Sequence, residues 1–534
     1  MSAPLTSDSP AQSQAASWRA PAAIFALALA VRVVGLTWGL PNAQRFYSYH
    51  PDESPQQIVG AVFHLLQGDF NPHFFNYPSL TVYATWLFYQ ILSLAGQTTN
   101  APGAHYPWDV ARDVILAGRL FSVLCGAGTA AFSYGIARQL GLNRGALVAG
   151  ITVALLPGLV QHSHFATVDV PATFFVVWCV WLSLRARTGR AILVAALVAG
   201  LAAGAKYNAG LVAIVPMICA LQLPLKNRWL LVVLAPVLAL LGFLVTTPFA
   251  VLDFPEFWGN PSPQVQTGIS FELLTHPRIG SGDLFQGTGN GWLYHLTFNL
   301  PFIMTAPLEI FALLGLGLAA RERRWWPVLV FVGLFFLSLG FSQVRFMRYL
   351  FPIAPFLCVT AAYAAARLPK PQVWGAALVL VVAAALPGII QPFVSVDPRD
   401  SVAQIIKRDG RKPVALAHNP WFYTPPFQPE GFNHPVPNTI VIEFENLGST
   451  SAPIITVSEF EFRESQRLDS LKKNPRYYDQ STWISDLTAQ FETDPHQFYF
   501  YPNYYPWSLP GREFVPHDYL YPNPQTWIFI SPKP

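Results

Sequence analysis

From residue 22 to residue 392 the chain is a succession of apolar runs, and that succession excludes most folds. The runs lie at about 22–40, 114–137, 146–161, 169–185, 190–205, 208–223, 229–248, 297–317, 326–342, 347–366 and 373–392. Each approaches the roughly 17–25 residues that a helix needs to cross a bilayer. Hydrocarbon offers peptide groups no water, so such runs are read as helices, which satisfy their own backbone. Composition agrees: of 534 residues 52% are hydrophobic and 12% charged, about half the charged share of a soluble domain. A formal net charge of +4 leaves no electrostatic footprint for nucleic acid. Cys125, Cys179, Cys219 and Cys358 fall inside apolar runs without ligand spacing, so they read as small core residues.

A twelfth run, about 78–96, begins at Pro78, and charge decides how it is read. Lys and Arg gather in loops that stay in the cytoplasm. The basic loops are Arg138/Arg144, Arg185/Arg187/Arg190, Lys226/Arg228, Arg321/Arg323/Arg324 and Arg367/Lys370. With the N-terminus inside and 78–96 not crossing, all five fall on the cytoplasmic side. The expectation is therefore an α-helical polytopic membrane protein of about eleven transmembrane helices, with 78–96 a juxtamembrane or re-entrant helix on the outer side. Residues 1–19 read as a disordered tail. The run after them is too long, and lacks the cleavage pattern, for a signal peptide.

Residues 20–395 thus form the membrane domain, with outer segments 41–113 and 249–296. Those segments are acidic, holding Asp52, Glu53, Asp69, Asp109, Asp113, Asp253, Glu256, Glu272 and Asp283 against Arg45, Arg112 and Arg278. From about residue 396 to 534 the chain has no spanning run. A Pro-led amphipathic helix at 398–407 and β-rich runs at Val414–Ala417, Thr439–Phe444, Ile454–Val457 and Trp527–Ile530 predict a small extracytoplasmic α/β domain. Its aromatic tract Phe498–Trp507 suits carbohydrate, lipid headgroups or its own core.

Chemistry is sought first at Phe46-Tyr-Ser-Tyr-His-Pro-Asp-Glu-Ser-Pro55, where Asp52 and Glu53 adjoin at the lip of the first span. A carboxylate beside a membrane cavity suits a general base; the plain alternative is a solvated loop pair. Gln161–Pro171 follows on the same side, with His162, His164 and Asp169. Asp169 either caps the next helix or joins the site. His162 and His164 with Asp52 and Asp169 are metal candidates, although no spacing is diagnostic. Arg119, Lys206, Arg345 and Arg348 lie near the same face, where cations suit a lipid-linked phosphate or snorkel to headgroups. Arg32, mid-span, is expected to pair internally, with Glu309 as partner.

In this order the motifs resemble the GT-C membrane glycosyltransferases, chiefly the protein O-mannosyltransferase branch and the related bacterial aminoarabinose transferases. The motifs are His50-Pro-Asp-Glu53, Asn76-Tyr-Pro-Ser-Leu80, Arg119-Leu-Phe-Ser122, Ala166-Thr-Val-Asp-Val-Pro171, Gly204-Ala-Lys-Tyr-Asn208 and Arg348-Tyr-Leu-Phe-Pro352. The resemblance implies an inverting transfer on the outer face, from a polyprenyl-phosphate-linked sugar to a lipid, glycan or protein acceptor. Asp52 would be the base, Glu53 its helper and Asp169 a second acid that shapes the acceptor site or helps hold a divalent metal. Arg119, Lys206 and Arg348 would face the leaving phosphate, and His50, Tyr77, His164 and Arg345 are further substrate-binding candidates. The reading requires Asp52, Asp169 and Arg119 to line one cavity. The sequence lacks the His-Pro-Pro-Leu-Gly run of eukaryotic O-mannosyltransferases and a trefoil-sized insert in 249–296, so the acceptor class stays open. The competing reading is a transporter or lipid flippase with an outer charged gate, against which stand the one-sided charges and the lack of inverted repeats.

Overall fold

The computed structural model describes residues 18–98, 108–224, 226–279, 284–416, 422–426, 439–441, 451–460, 498–499, 515–522, 524 and 526–531. It is mostly helical. The helix Trp108–Gln139, about 48 Å long at 1.5 Å per residue, is the central post. Arg19–Val33, Leu80–Leu94, Gly145–Ala154 and Asp169–Arg185 pack around it. Small residues set the closest approaches. A Cβ on Gly200 would fall 2.0 Å from the Ala239 carbonyl oxygen, so Gly189–Ala205 and Arg228–Thr246 meet backbone to backbone, as membrane helices do at small residues. Large apolar side chains such as Val233, Leu240, Val245 and Leu380 point outward, an arrangement that a lipid surrounding makes favourable.

The eleven expected spans are not eleven continuous helices. Among the described residues four helical stretches are long and apolar enough to cross a membrane: Trp108–Gln139, Arg228–Thr246, Arg323–Gly340 and Pro371–Asp409, the last of which is continuous helix from Pro371 to Val394 before a separate helix begins at Pro398. A fifth appears if Gly291–Met304 and Ala306–Ala319, bent by 118°, count as one. The breaks have local causes. Pro157 starts a new helix after Ala154, because proline lacks the N–H that would continue the old one. Thr305 takes φ 76° between the two bent halves. Leu80–Leu94 has 15 residues, about 22 Å, which is short of the ~30 Å hydrocarbon core.

The basic loops share one end of the bundle. Arg144, Arg324 and Arg367 line a common recess, and Gln222 donates to the Arg323 carbonyl at 3.1 Å. Gly189 abuts Leu231, bringing the remaining two loops to that end. Arg32 does pair internally, but with Ser163 (3.0 Å) and the carbonyls of Ala28 (3.0 Å) and Ala154 (2.6 Å) instead of Glu309. Helical neighbours supply these acceptors without burying a second charge.

At the opposite end the later part of the chain forms a sheet. Its strands are β1 (Val414–Leu416), β2 (Thr439–Val441), β3 (Ile454–Ser458), β4 (Phe498–Tyr499) and β5 (Thr526–Ile530), in the order β2-β1-β3-β5-β4. β1 runs parallel to β2 and β3, whereas β5 is antiparallel to β3 and β4. The helix Pro398–Asp409 lays Val402, Ile405 and Ile406 on Val414, Leu416, Ile454 and Ile528. Its start is fixed by Asp397, which accepts the Arg399 N–H at 2.9 Å. Beyond Tyr499 the aromatic tract lies outside the described residues.

Candidate active site

The loop carrying Asp52 is held from both sides. Arg45 donates to the carbonyls of Tyr47 (2.9 Å) and Leu40 (2.8 Å) and pairs with Asp400 at 3.1 Å. The Tyr49 ring is sandwiched between the guanidiniums of Arg45, at 3.6 Å, and Arg399, at 3.8 Å. Arg399 in turn binds Asp397 and the carbonyls of Phe422 and Tyr521. Arg399 and Asp400 thus clamp the acidic loop from the later part of the chain through cation–π and charge-assisted contacts. Sequence separation of some 350 residues hid this clamp.

Asp52 and Glu53 part company, as neighbours on a turning backbone do. Asp52 faces a cavity of about 960 Å³ whose wall also includes Gln57, Tyr77, Arg348, Tyr349 and Tyr521. Glu53 turns away. Its carboxylate receives Arg119 Nε at 2.8 Å and Nη2 at 2.7 Å, the Ala166 N–H at 2.7 Å, and the Ser48 hydroxyl. Arg119 spends its remaining donors on the carbonyls of Leu36 and Trp38. Both side chains are 0% exposed. Neither Arg119 nor Asp169 is on the wall of that cavity, where the sequence reading required both beside Asp52, and the Glu53 carboxylate is taken up by Arg119 instead of facing the cavity. Every lone pair and proton is used internally, which makes the pair a strut one residue behind Asp52.

Of the three cations expected at the leaving phosphate, Arg119, Lys206 and Arg348, only Arg348 is on the cavity wall. Its guanidinium lies 3.5 Å from Asp52, 3.6 Å from Asp169 and 3.7 Å from Asp518, and donates to the Tyr521 hydroxyl at 3.2 Å. Contacts near 3.5 Å are ion pairs without tight hydrogen bonds, so Arg348 is shared among the three acids. Lys206 Nζ holds Asp169 at 2.6 Å and sits over the Tyr349 ring at 3.9 Å. Counted as charges, three carboxylates face two cations. Burial pushes the Asp52 carboxyl above the usual range; Arg348 pulls it back and Asp169 reinforces the rise.

Other candidates fall elsewhere. His50 is buried between Phe165 (ring centroids 4.2 Å apart) and Tyr521 (4.7 Å), and its Nδ1 accepts the Asp52 N–H at 3.2 Å. Burial, with Arg348, His162 and Arg119 nearby, holds it well below the ordinary histidine range, so it positions Asp52 as a neutral ring. His164 points its two nitrogens at the carbonyls of Val160 and Val34, each at 2.8 Å, away from the cavity. Arg345 binds Thr288 (2.6 Å) and the Gly289 carbonyl (2.8 Å) and fastens that segment instead of joining the acids. The metal set Asp52, Asp169, His162 and His164 does not assemble around an open centre. Arg348 fills the space between the two acids, and a fixed guanidinium repels a cation.

Sequence reasoning missed Asp518 and Tyr521. Asp518 is fully buried, accepts the backbone N–H groups of Met347 (3.3 Å) and Arg348 (3.1 Å), and lies 3.9 Å from His162. Burial raises its proton affinity, opposed by Arg348 and by those amides. No periodicity or spacing ties residue 518 to residue 348.

Residues 108–251 match the model of the family described as dolichyl-phosphate-mannose-protein mannosyltransferase. That stretch includes Arg119, Asp169 and Lys206 and leaves out Asp52 and Arg348. No curated protein sequence matches the chain. Among solved structures it is similar to ArnT from Cupriavidus metallidurans bound to undecaprenyl phosphate, at 18% identity and TM-score 0.46, over 73% of this chain and 72% of that one. The apo state of the same protein gives 18% and 0.47, over 74% and 73%. The Archaeoglobus fulgidus oligosaccharyltransferase AglB, in complex with an inhibitory peptide and a dolichol-phosphate, gives 12% and 0.43, over 93% and 75%. The family match takes in three of the six motifs that carried the resemblance to the GT-C membrane glycosyltransferases, those that begin at Arg119, Ala166 and Gly204.

Proposed function

We propose that this GT-C-like membrane glycosyltransferase moves a sugar from a polyprenyl-phosphate donor to a lipid, glycan or protein acceptor, with Asp52 as general base. The observation that carries the reading is Asp52 itself: it opens onto the cavity while its neighbour anchors the loop and Arg348 stands behind it. Transfer forms a bond from the acceptor oxygen or nitrogen to the sugar's anomeric carbon and breaks the bond from that carbon to the phosphate. Asp52 takes the acceptor proton; a carboxylate whose proton affinity is raised by burial is better suited to that task than an ordinary one. Charge grows on the phosphate as the sugar departs, and Arg348, on the cavity wall, is placed to meet it. Asp169, Asp518 and Lys206 hold Arg348 and the carboxylates in register, and the Glu53–Arg119 strut fixes the peptide next to Asp52. On this reading the cavity, the acidic loop and the C-terminal domain all face the extracytoplasmic side of the cytoplasmic membrane.

The test is transfer in native membranes from a radiolabelled polyprenyl-phosphate hexose, with Asp52→Asn as control. Loss of the base is expected to slow transfer by roughly 10²–10⁴-fold. Equal turnover in the variant would remove Asp52 from the chemistry. Uptake of substrate into vesicles, without transfer from any donor tried, would favour the transporter reading.

A further inference from the structure

A second polar cluster lies beside the cavity and takes no part in the acid–arginine constellation. His64 lies in the last turn of the helix Ile58–Leu66, Gly68 turns the chain at φ 89°, and Asp69 and His73 follow. One ligand atom from each of His64, Asp69 and His73 lies within 4.8 Å of the others, and this is the only such trio of metal-ligating side chains among the described residues. The two imidazoles stand edge to face with centroids 4.9 Å apart. His73 Nε2 is 2.9 Å from Asp69 Oδ2, and its Nδ1 is 2.8 Å from Glu256 Oε1. The His73 backbone holds φ 50°, a left-handed conformation that costs a non-glycine residue about 1–2 kcal/mol.

We propose that His64, Asp69 and His73 bind a divalent cation of the zinc class. The arrangement has the parts such a site needs. Two imidazoles favour late first-row metals over calcium or magnesium, which prefer all-oxygen shells. Zinc accepts two nitrogens and a carboxylate, with water in the fourth position. Metal-bound histidines regularly donate their other N–H to a carboxylate that fixes the tautomer, and Glu256 stands at that nitrogen. Without metal, the His73–Asp69 contact is bridged by a proton; binding displaces it, Nε2 and Asp69 Oδ2 becoming ligands while Nδ1–H stays on Glu256. Glu256 is itself fixed, accepting from Asn71 at 2.9 Å, and the Asp253 side chain accepts its N–H.

The ion would join two stretches far apart in sequence. His64, Asp69 and His73 belong to the segment of Asp52, Glu256 to the segment that begins near residue 249, and both His73 and Glu256 line the cavity. Binding therefore pins one side of the cavity wall. This assignment does not depend on the reaction that occurs there.

The experiment uses the full chain, purified through a tag without histidines, stripped with chelator and reconstituted in nanodiscs. Zinc is titrated calorimetrically and bound metal counted by elemental analysis. One ion per chain is expected, with a rise in thermal midpoint that magnesium does not reproduce. His64→Ala should abolish both while leaving the His73–Asp69 and His73–Glu256 contacts intact, because the His64 ring makes no hydrogen bond among the described residues. Glu256→Gln should retain one ion at roughly 10–100-fold lower affinity. Cobalt substitution should add visible ligand-field bands that vanish in His64→Ala. Zinc bound equally by wild type and His64→Ala, or no zinc retained by a wild type that keeps its fold, would overturn the assignment.

Discussion

Replacing Glu53 by glutamine separates support from chemistry. The variant keeps the shape but removes the charge that balances Arg119, and both side chains are 0% exposed. Two guanidinium hydrogen bonds at 2.7 and 2.8 Å and the Ala166 amide at 2.7 Å converge on this carboxylate. Breaking a buried pair by neutralising one partner costs about 3–5 kcal/mol, because an uncompensated charge is left behind. Arg119→Met should cost a similar amount for the mirror reason. In the double variant neither charge is stranded, so most of the loss should be recovered and the coupling energy should be several kcal/mol, well above the roughly 0.3–0.5 expected of independent sites. The assay is reversible denaturant unfolding of the purified protein in mixed micelles, with transfer activity measured in parallel. The reasoning fails if Glu53→Gln unfolds within about 1 kcal/mol of wild type yet loses transfer, since Glu53 would then act on substrate.

Three further outcomes follow from the same contacts. Asp518→Asn removes a carboxylate that holds two backbone amides and Arg348; hydrogen bonds to charged groups contribute about 1.5–3 kcal/mol, so transfer should fall although residue 518 is absent from the cavity wall, and wild-type rates would refute its positioning part. The pH dependence of transfer should show an acid limb above the ordinary aspartate range, because burial raises the Asp52 carboxyl. The sign is fixed: the base works only when deprotonated, so the rate rises with pH through that limb, and an unshifted limb would count against Asp52. Gly200→Leu drives a side chain into the Ala239 carbonyl, 2.0 Å from where its Cβ would lie; overpacking of this kind costs about 1–3 kcal/mol, read as a lower thermal midpoint with the cavity residues untouched.

Asp52 shows how far local sequence reaches. Its place after the first apolar run, its constrained aromatic setting and the ordered motifs were all legible along the chain, because hydropathy and turn chemistry act over a few residues. The same holds for the strands at Ile454–Ser458 and Thr526–Ile530 and for the helix at Pro398–Asp409. Which acid of the Asp52–Glu53 pair meets the cavity was not legible in hydropathy or spacing, and only the resemblance named Asp52. Each is an acidic residue beside a histidine and prolines, and only the packing of Trp108–Gln139 against the loop brings Arg119 to Glu53 and leaves Asp52 open.

The sequence by itself determined a membrane-embedded helical body, the common end of its basic loops and the place of the acidic pair Asp52–Glu53 after the first apolar run, since these depend on composition and spacing. Tertiary structure decided the partners. Of the three cations expected at the leaving phosphate only Arg348 is on the cavity wall, Asp518 arrives from the end of the chain, and His64, Asp69 and His73 converge with Glu256. Such pairings depend on the three-dimensional distance between charges, and at low dielectric that distance sets whether a buried carboxylate is a strut or a reactant.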